Sequence, residues 1–299
     1  MRKKLQQLLK KTLVWKYSLP NKAVSIDGVN VSTLEDDAFL CACENSLAEI
    51  IYNSIIEYSF NEFEMSNRDL KDLLTVALQV KIKYKEWQTE GTKVRYGFYG
   101  EVLLHSILYY FYGSRPLISR GYFYNPLENS ETKGYDSYHL IESNGNVELW
   151  FGEVKFRDTF ASCAKSAIEG LDKALSDSYL RDNILAMVDH RNNFSIKDSK
   201  VEKIIKSWSD NPSIKIIDEI KKYDMSLIYP VLLVYADQSD DFETKISSAV
   251  KHINRKYSAK QYNLSINFEL FFILVPLSEV KKIKKDVIEW IELKKPLLS

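Results

Sequence analysis

GYDSYHLIESNGNVELWFGEVKF, Gly134 to Phe156, sets two strand-like runs on either side of Asn144-Gly145. Asn-Gly between such runs is the strongest short signal for a two-residue type I′ turn, because both central residues must take φ > 0. With those residues as the turn, the pairing is fixed and Asp136 comes to lie opposite Glu153. Directly opposed residues hold their Cβ atoms roughly 4.5–5.5 Å apart. Like charges there repel unless a cation sits between them or one is neutralised. Lys155 projects from the same face two residues on, opposite Gly134, which leaves the lysine room. Two opposed carboxylates with a lysine beside them predict a metal-dependent phosphodiesterase site.

Glu-x-Lys alone says little, since it recurs at Glu131, Glu219, Glu243, Glu279 and Glu292 in loop-like or helix-patterned text. Only Glu153 follows a strand-like run. Along its face Val147, Leu149 and Phe151 give way to Glu153 and Lys155, while Trp150, Val154 and Phe156 keep the other face apolar. A strand apolar on both faces is covered on both sides, and charges in such a strand are seldom buried without partners. The competing reading is a strand end reaching solvent, with Glu153 and Lys155 as a surface pair. Upstream, RYGFYGEVLLHSILYYF (Arg95 to Phe111) is apolar almost all round and predicts a buried helix. Glu101 is its one acid. A buried carboxylate needs a cation, a metal or a proton; the alternative is a helix N-terminal Glu helped by the macrodipole and open to water. His105, a turn away, reads as a hydrogen-bonded structural residue.

The element order resembles the PD-(D/E)xK nuclease superfamily. Its core of helix, three strands, helix and strand matches Arg95–Phe111, Leu117–Tyr124, Gly134–Glu142, Val147–Arg157, Ser162–Ser176 and Tyr229–Ala236. The superfamily's usual proline before the aspartate is Tyr135 here. YGEVLLH, KGYD and LWFGEVKF also resemble, more narrowly, the HamA family of nuclease-like subunits from the bacterial Hachiman antiphage system. That resemblance implies an α/β fold with a restriction-endonuclease-like core and mixed sheet. It also implies cleavage of DNA and a helicase/ATPase partner subunit (HamB-like).

Phosphodiester hydrolysis needs a nucleophile generated at neutral pH and charge stabilisation at phosphorus, and Mg²⁺ or Mn²⁺ supplies both through hard oxygen ligands. The expected metal ligands are Asp136 and Glu153 with the Val154 carbonyl. Glu101 is expected to hold a second ion or order a water. Lys155 is expected to orient the attacking water or the scissile phosphate as a point charge. The alternative is a catalytically silent nuclease-fold scaffold that grips DNA or its partner.

Lys plus Arg equals Asp plus Glu at 41 each, so no global field draws the chain to nucleic acid. DNA contacts must come from a local patch, with Arg157, Lys165 and Lys173 as candidates, although the last two also fit a solvated helix face. No P-loop, H-E-x-x-H, G-x-S-x-G or paired C-x-x-C occurs. Three cysteines without metal spacing, and the absence of a signal-peptide core or membrane-length apolar run, predict a cytoplasmic protein. Residues 1–92 read as a mostly helical accessory region and 93–299 as the nuclease-like domain. The first region holds a basic amphipathic start, strands near Ala23–Val31, and helices near Asn45–Tyr58 and Asn67–Trp87. Beyond Ser176 the text predicts a polar interval (Asp189 to Asp218), a buried strand, a helix over 240–257, a strand over 266–276 and a final amphipathic helix on Val280, Ile283, Val287 and Ile291.

Overall fold

The computed structural model describes residues 1–19, 32, 34, 36–66, 68–118, 124–125, 130–131, 134–143, 146–188, 200–209, 211, 214–239, 241–256 and 262–298. Before the hairpin lie α1 (Lys3–Thr12), β1 (Leu13–Leu19), β2 (Asp36–Cys41), α2 (Glu44–Ser59), α3 (Glu62–Met65), α4 (Leu70–Val76), α5 (Glu90–Lys93) and α6 (Phe98–Phe111). Helix α4 runs on into a π-helical stretch, Ala77–Ile82. The hairpin region holds β3 (Arg115–Pro116), β4 (Tyr124–Asn125), β5 (Ser130–Glu131), β6 (His139–Ser143), β7 (Asn146–Trp150) and β8 (Glu153–Arg157). Then come α7 (Phe160–Ala174), α8 (Asp177–Val188), α9 (Lys200–Ser209), α10 (Ile216–Lys222), β9 (Met225–Ala236), α11 (Phe242–Lys256), β10 (Phe268–Leu277) and α12 (Val280–Glu292).

One mixed sheet runs β1-β2-β10-β9-β7-β6-β3, with β8 beside β9 beyond the end of β7. Strands β9 and β10 are its centre, parallel and apolar on both faces, as buried parallel strands must be. Alternate residues feed two separate cores. Leu227, Tyr229, Val231, Leu233 and Tyr235 join the apolar faces of α7 to α11. Ile228, Leu232 and Val234 meet those of α1, α2, α4, α6 and α12. Helices therefore cover both sides of the sheet.

The hairpin register is the one the Asn-Gly turn demands: His139 pairs with Trp150, Leu140 with Leu149 and Ser143 with Asn146. Residues 144 and 145 themselves, and the expected strand near Ala23–Val31, lie outside the described residues. Three strand boundaries differ from expectation. The segment expected as a strand over 117–124 pairs with β6 at Arg115–Pro116 instead, and residues 119–123 are not described. The strand expected over 134–142 begins only at His139. The run 147–157 is two strands, interrupted at Phe151-Gly152.

Pro230 explains the interruption. Phe151 donates its N–H to the Ile228 carbonyl at 3.1 Å. In a parallel ladder the next bond would come from residue 230 to the Phe151 carbonyl, and proline has no N–H to give. Register survives across the gap, with Trp150 beside Ile228 and Glu153 beside Val231.

The N-terminal helix is part of the second core: Leu5 and Leu9 are fully buried, and Arg2 pairs with the buried Glu57 at 2.8 Å. The apolar face of Met1–Leu13 is thus occupied by its own chain. Arg2→Ala would strand the Glu57 carboxylate, and about 3 kcal/mol of lost stability is expected. A chemical-denaturation midpoint checks it, and an unchanged midpoint contradicts it. Helices α8 to α10 fall where the sequence predicted polar text or none, and Val201, Ile204, Ile205 and Trp208 bury one side of α9.

Candidate active site

Asp136 does not sit in a ladder opposite Glu153. It lies on a bend before β6, tied to the β7–β8 junction by two bonds. Its N–H donates to the Gly152 carbonyl at 2.8 Å, and its Oδ2 accepts the Val154 N–H at 2.8 Å. The aspartate thus caps the edge of β8 that faces away from β9. The N–H and carbonyl of one strand residue point the same way, so the Val154 carbonyl faces that edge too.

Gly134 has a different role from the one expected. A Cβ there would collide with the Tyr138 hydroxyl and lie 2.5 Å from Asn183 Oδ1. These two groups are hydrogen-bonded at 2.5 Å, and the Tyr138 hydroxyl also accepts the Tyr135 N–H at 3.0 Å. The glycine makes room for this buried knot, which fixes the approach to Asp136.

Lys155 and Glu153, both about one-fifth exposed, form an ion pair with each other. The lysine thereby supplies the cation that a carboxylate in this strand needs. Tyr229, fully buried in β9, is flanked by the same acids. Burial first, then the charges of Glu153, Tyr135 and Asp136, hold its phenol firmly protonated. Sequence reasoning missed it, because Tyr229 reads as one more apolar residue of a core strand.

Glu101 comes from the other face of the sheet. It is 8 % exposed in the first turn of α6, and the Tyr58 hydroxyl donates to its Oε2. Gly100 lets α6 come this close, since a Cβ there would lie 2.9 Å from Val154 Cγ2. His105 is structural, as expected: its Nδ1 lies 3.0 Å from His139 Nε2, and His139 Nδ1 lies 3.0 Å from Ser114 Oγ. Burial holds both rings neutral, His105 down to about 3.

That burial has a pH consequence. Unfolded histidines take up protons below about 6.5 and these do not, so their contribution is full above that pH and is lost on acidification. Asp36, pushed up to about 7 chiefly by burial, acts in the opposite sense. The loss of stability between about pH 7 and about pH 5 should therefore shrink in His105→Leu/His139→Leu. Denaturant midpoints at the two pH values test this, and an equal loss in both proteins refutes it.

Glu101, Asp136, Val154 and Lys155 line one cleft of about 960 Å³ that also receives Arg95, Arg157, Lys281, Lys284 and Lys285. Six cationic side chains face four acids there, the others being Glu90 and Asp158. Lys281 pairs with Asp158 at 3.1 Å and Lys285 with Glu90 at 2.8 Å. Lys284 donates to the Phe156 carbonyl at 3.0 Å, and burial lowers its proton affinity. Arg157 lines the cleft. Lys165 faces Glu169 at 3.8 Å on an exposed side of α7, and Lys173 lies over the Tyr179 ring; neither lines the cleft. The α12 lysines take their place. Their signal in the sequence was KKIKK, Lys281 to Lys285, on the polar side of an amphipathic pattern.

Among the described residues no three His, Cys, Asp or Glu side chains gather as a ready metal cage. The expected trio is thus divided: Asp136 and Glu101 line the cleft, while Glu153 is engaged by Lys155. The donors that face the cleft are hard oxygens, and Mg²⁺ characteristically takes one or two protein carboxylates and keeps its waters. Asp136, Glu101 and the Val154 carbonyl fit such an ion. No described helix is long and apolar enough to cross a membrane.

No curated protein matches the chain. A family model described as HamA matches residues 21–291, which takes in the elements from β2 to β10, all but the last residue of α12, and the whole cleft. The chain belongs to the HamA family, and so is a component of the Hachiman antiphage defence system.

Proposed function

We propose that this chain is a Mg²⁺- or Mn²⁺-dependent deoxyribonuclease, the effector of its defence system, working beside an ATP-using helicase subunit. The observation that carries the reading is the edge of β8. Asp136 and Glu101 face it from different elements, the Glu153–Lys155 pair stands on the same strand, and cations from the end of β8, the α5–α6 turn and α12 line the cleft. A bound divalent ion would supply Lewis acidity and a nucleophilic water at neutral pH. Asp136, Glu101 and the Val154 carbonyl would hold it. Lys155 would exchange its partner Glu153 for the phosphate, placing a point charge where negative charge develops. The rim lysines and Arg157 would seat the sugar-phosphate backbone. The chain has no P-loop of its own, so strand separation falls to the partner.

A plasmid-nicking assay with Mg²⁺, with and without the helicase subunit, tests the activity. Millimolar Mg²⁺ or Mn²⁺ should raise the melting temperature by a few degrees, because a ligand bound only by the folded state stabilises it. Asp136→Asn should shrink the shift. Calorimetry with no metal response in the wild type would count against the site.

The engagement of Glu153 by Lys155, with no three-acid cluster gathered among the described residues, favours a second reading, a catalytically silent scaffold that grips DNA or its partner. Metal-independent DNA binding without nicking under any partner condition would select it.

A further inference from the structure

Trp87 is 80 % exposed, an unusual setting for an indole. Its loop is nonetheless held firmly from beneath. The buried Lys93 donates from Nζ to the Glu86 carbonyl at 2.8 Å and to Glu292 at 2.6 Å. Tyr96 donates to the Gln88 side chain, and the Gln88 N–H closes a turn on the Lys85 carbonyl at 3.1 Å. The backbone on either side of the indole is anchored while the ring stands out.

Cations accompany it. Lys85 Nζ lies 5.6 Å from the centre of the ring, and Lys83 ends the π-helical stretch in a left-handed conformation, φ 56°. Three residues beyond Trp87 begins α5, whose Glu90 and Gly91 line the cleft, followed by Arg95 and Tyr96. The link to the cleft runs through Gln88, the residue after the indole, whose side chain is held by the cleft-lining Tyr96.

We propose that Trp87, with Lys83 and Lys85, is a stacking platform for single-stranded nucleic acid at the entrance to this cleft. The inference rests on reading the cleft as a nucleic-acid site, and adds that an unpaired strand is the form received. An aromatic face accepts any base and lysines follow the phosphates, which gives sequence-tolerant binding. A closed duplex keeps its bases stacked inside and offers the indole nothing.

The test uses the full chain in EDTA, so that no cleavage intervenes, with an oligothymidylate and a hairpin-closed duplex of equal length. Trp87→Ala is expected to weaken oligothymidylate binding roughly tenfold or more and to leave the duplex almost unchanged. Lys83→Ala and Lys85→Ala should each lower the salt slope by roughly 0.7. Unchanged oligothymidylate affinity in Trp87→Ala overturns the proposal, as does equal loss for both ligands. It falls too if Trp87→Ala loses only co-purification with a protein partner, which would make the loop a protein contact. Trp87-dependent binding in a protein that never nicks DNA would sink the nuclease reading alone. Nicking by a protein whose oligothymidylate binding ignores Trp87 would sink the platform alone.

Discussion

Glu153→Ala and Lys155→Ala are each expected to lower metal-dependent DNA cleavage by at least about a hundredfold, the scale on which a lost transition-state donor acts. Neither should unfold the chain. The two side chains hold each other and are part-exposed, so removing one is expected to change stability by less than about 1 kcal/mol. The two variants should differ in how they fail. Without Lys155, Glu153 loses its cation, so metal binding should persist or tighten while turnover is lost. Without Glu153, the lysine is released toward the cleft, where it can still bind DNA. Cleavage rates, metal-dependent melting shifts and DNA affinity, measured on the same preparations, separate these outcomes. Full activity in either variant removes the pair from catalysis, and wholesale unfolding would make it structural.

Much of this arrangement was legible in the chain because the strand period is two and the turn fixes the phase. Asn144-Gly145 implied the pairing of Leu140 with Leu149, which the sheet adopts. The same alternation correctly sent Val147, Leu149 and Phe151 to one core and Trp150, Val154 and Phe156 to the other. The position of Asp136 was beyond that argument. It depends on Pro230, more than ninety residues downstream, whose missing N–H opens the ladder beside Phe151. Until β9 is known to lie there, nothing local shows that the hairpin ends at His139.

Helix α12 gives a similar lesson. Val280, Ile283, Val287 and Ile291 announced its buried face. Its lysines could be assigned to the cleft only once the helix was seen beside β8 and α5. Lys165 and Lys173 lay closer to Glu153 in sequence and were the natural candidates, yet helix α7 turns them elsewhere. The family match supports the antiphage setting; the chemistry rests on the geometry and its tests.

Gly152→Ala should be strongly damaging for the addition of a single methyl group. The added Cβ would lie 2.8 Å from the Pro230 carbonyl oxygen, 2.9 Å from Pro230 Cγ and 2.9 Å from Ser137 Oγ. A backbone oxygen and a ring in the central strand cannot step aside as a flexible side chain can. Relief must come from moving the junction, and overpacking of this kind costs about 1–3 kcal/mol. The junction also holds Asp136 by the Gly152 carbonyl and Ser137 by the Gly152 N–H, at 2.8 Å and 2.9 Å. Any shift therefore displaces the aspartate from the Val154 N–H, so activity should fall further than stability alone explains. Gly170→Ala supplies the contrast, since a Cβ there meets nothing within 4 Å and the residue is exposed in the middle of α7. That change should raise stability by about 0.5–1 kcal/mol, because alanine loses less backbone freedom in a helix than glycine. Denaturant midpoints moving in opposite directions, with cleavage lost only in Gly152→Ala, are the expected pattern. A neutral Gly152→Ala would mean that the β7–β8 junction is not held by Pro230 in the way its geometry indicates.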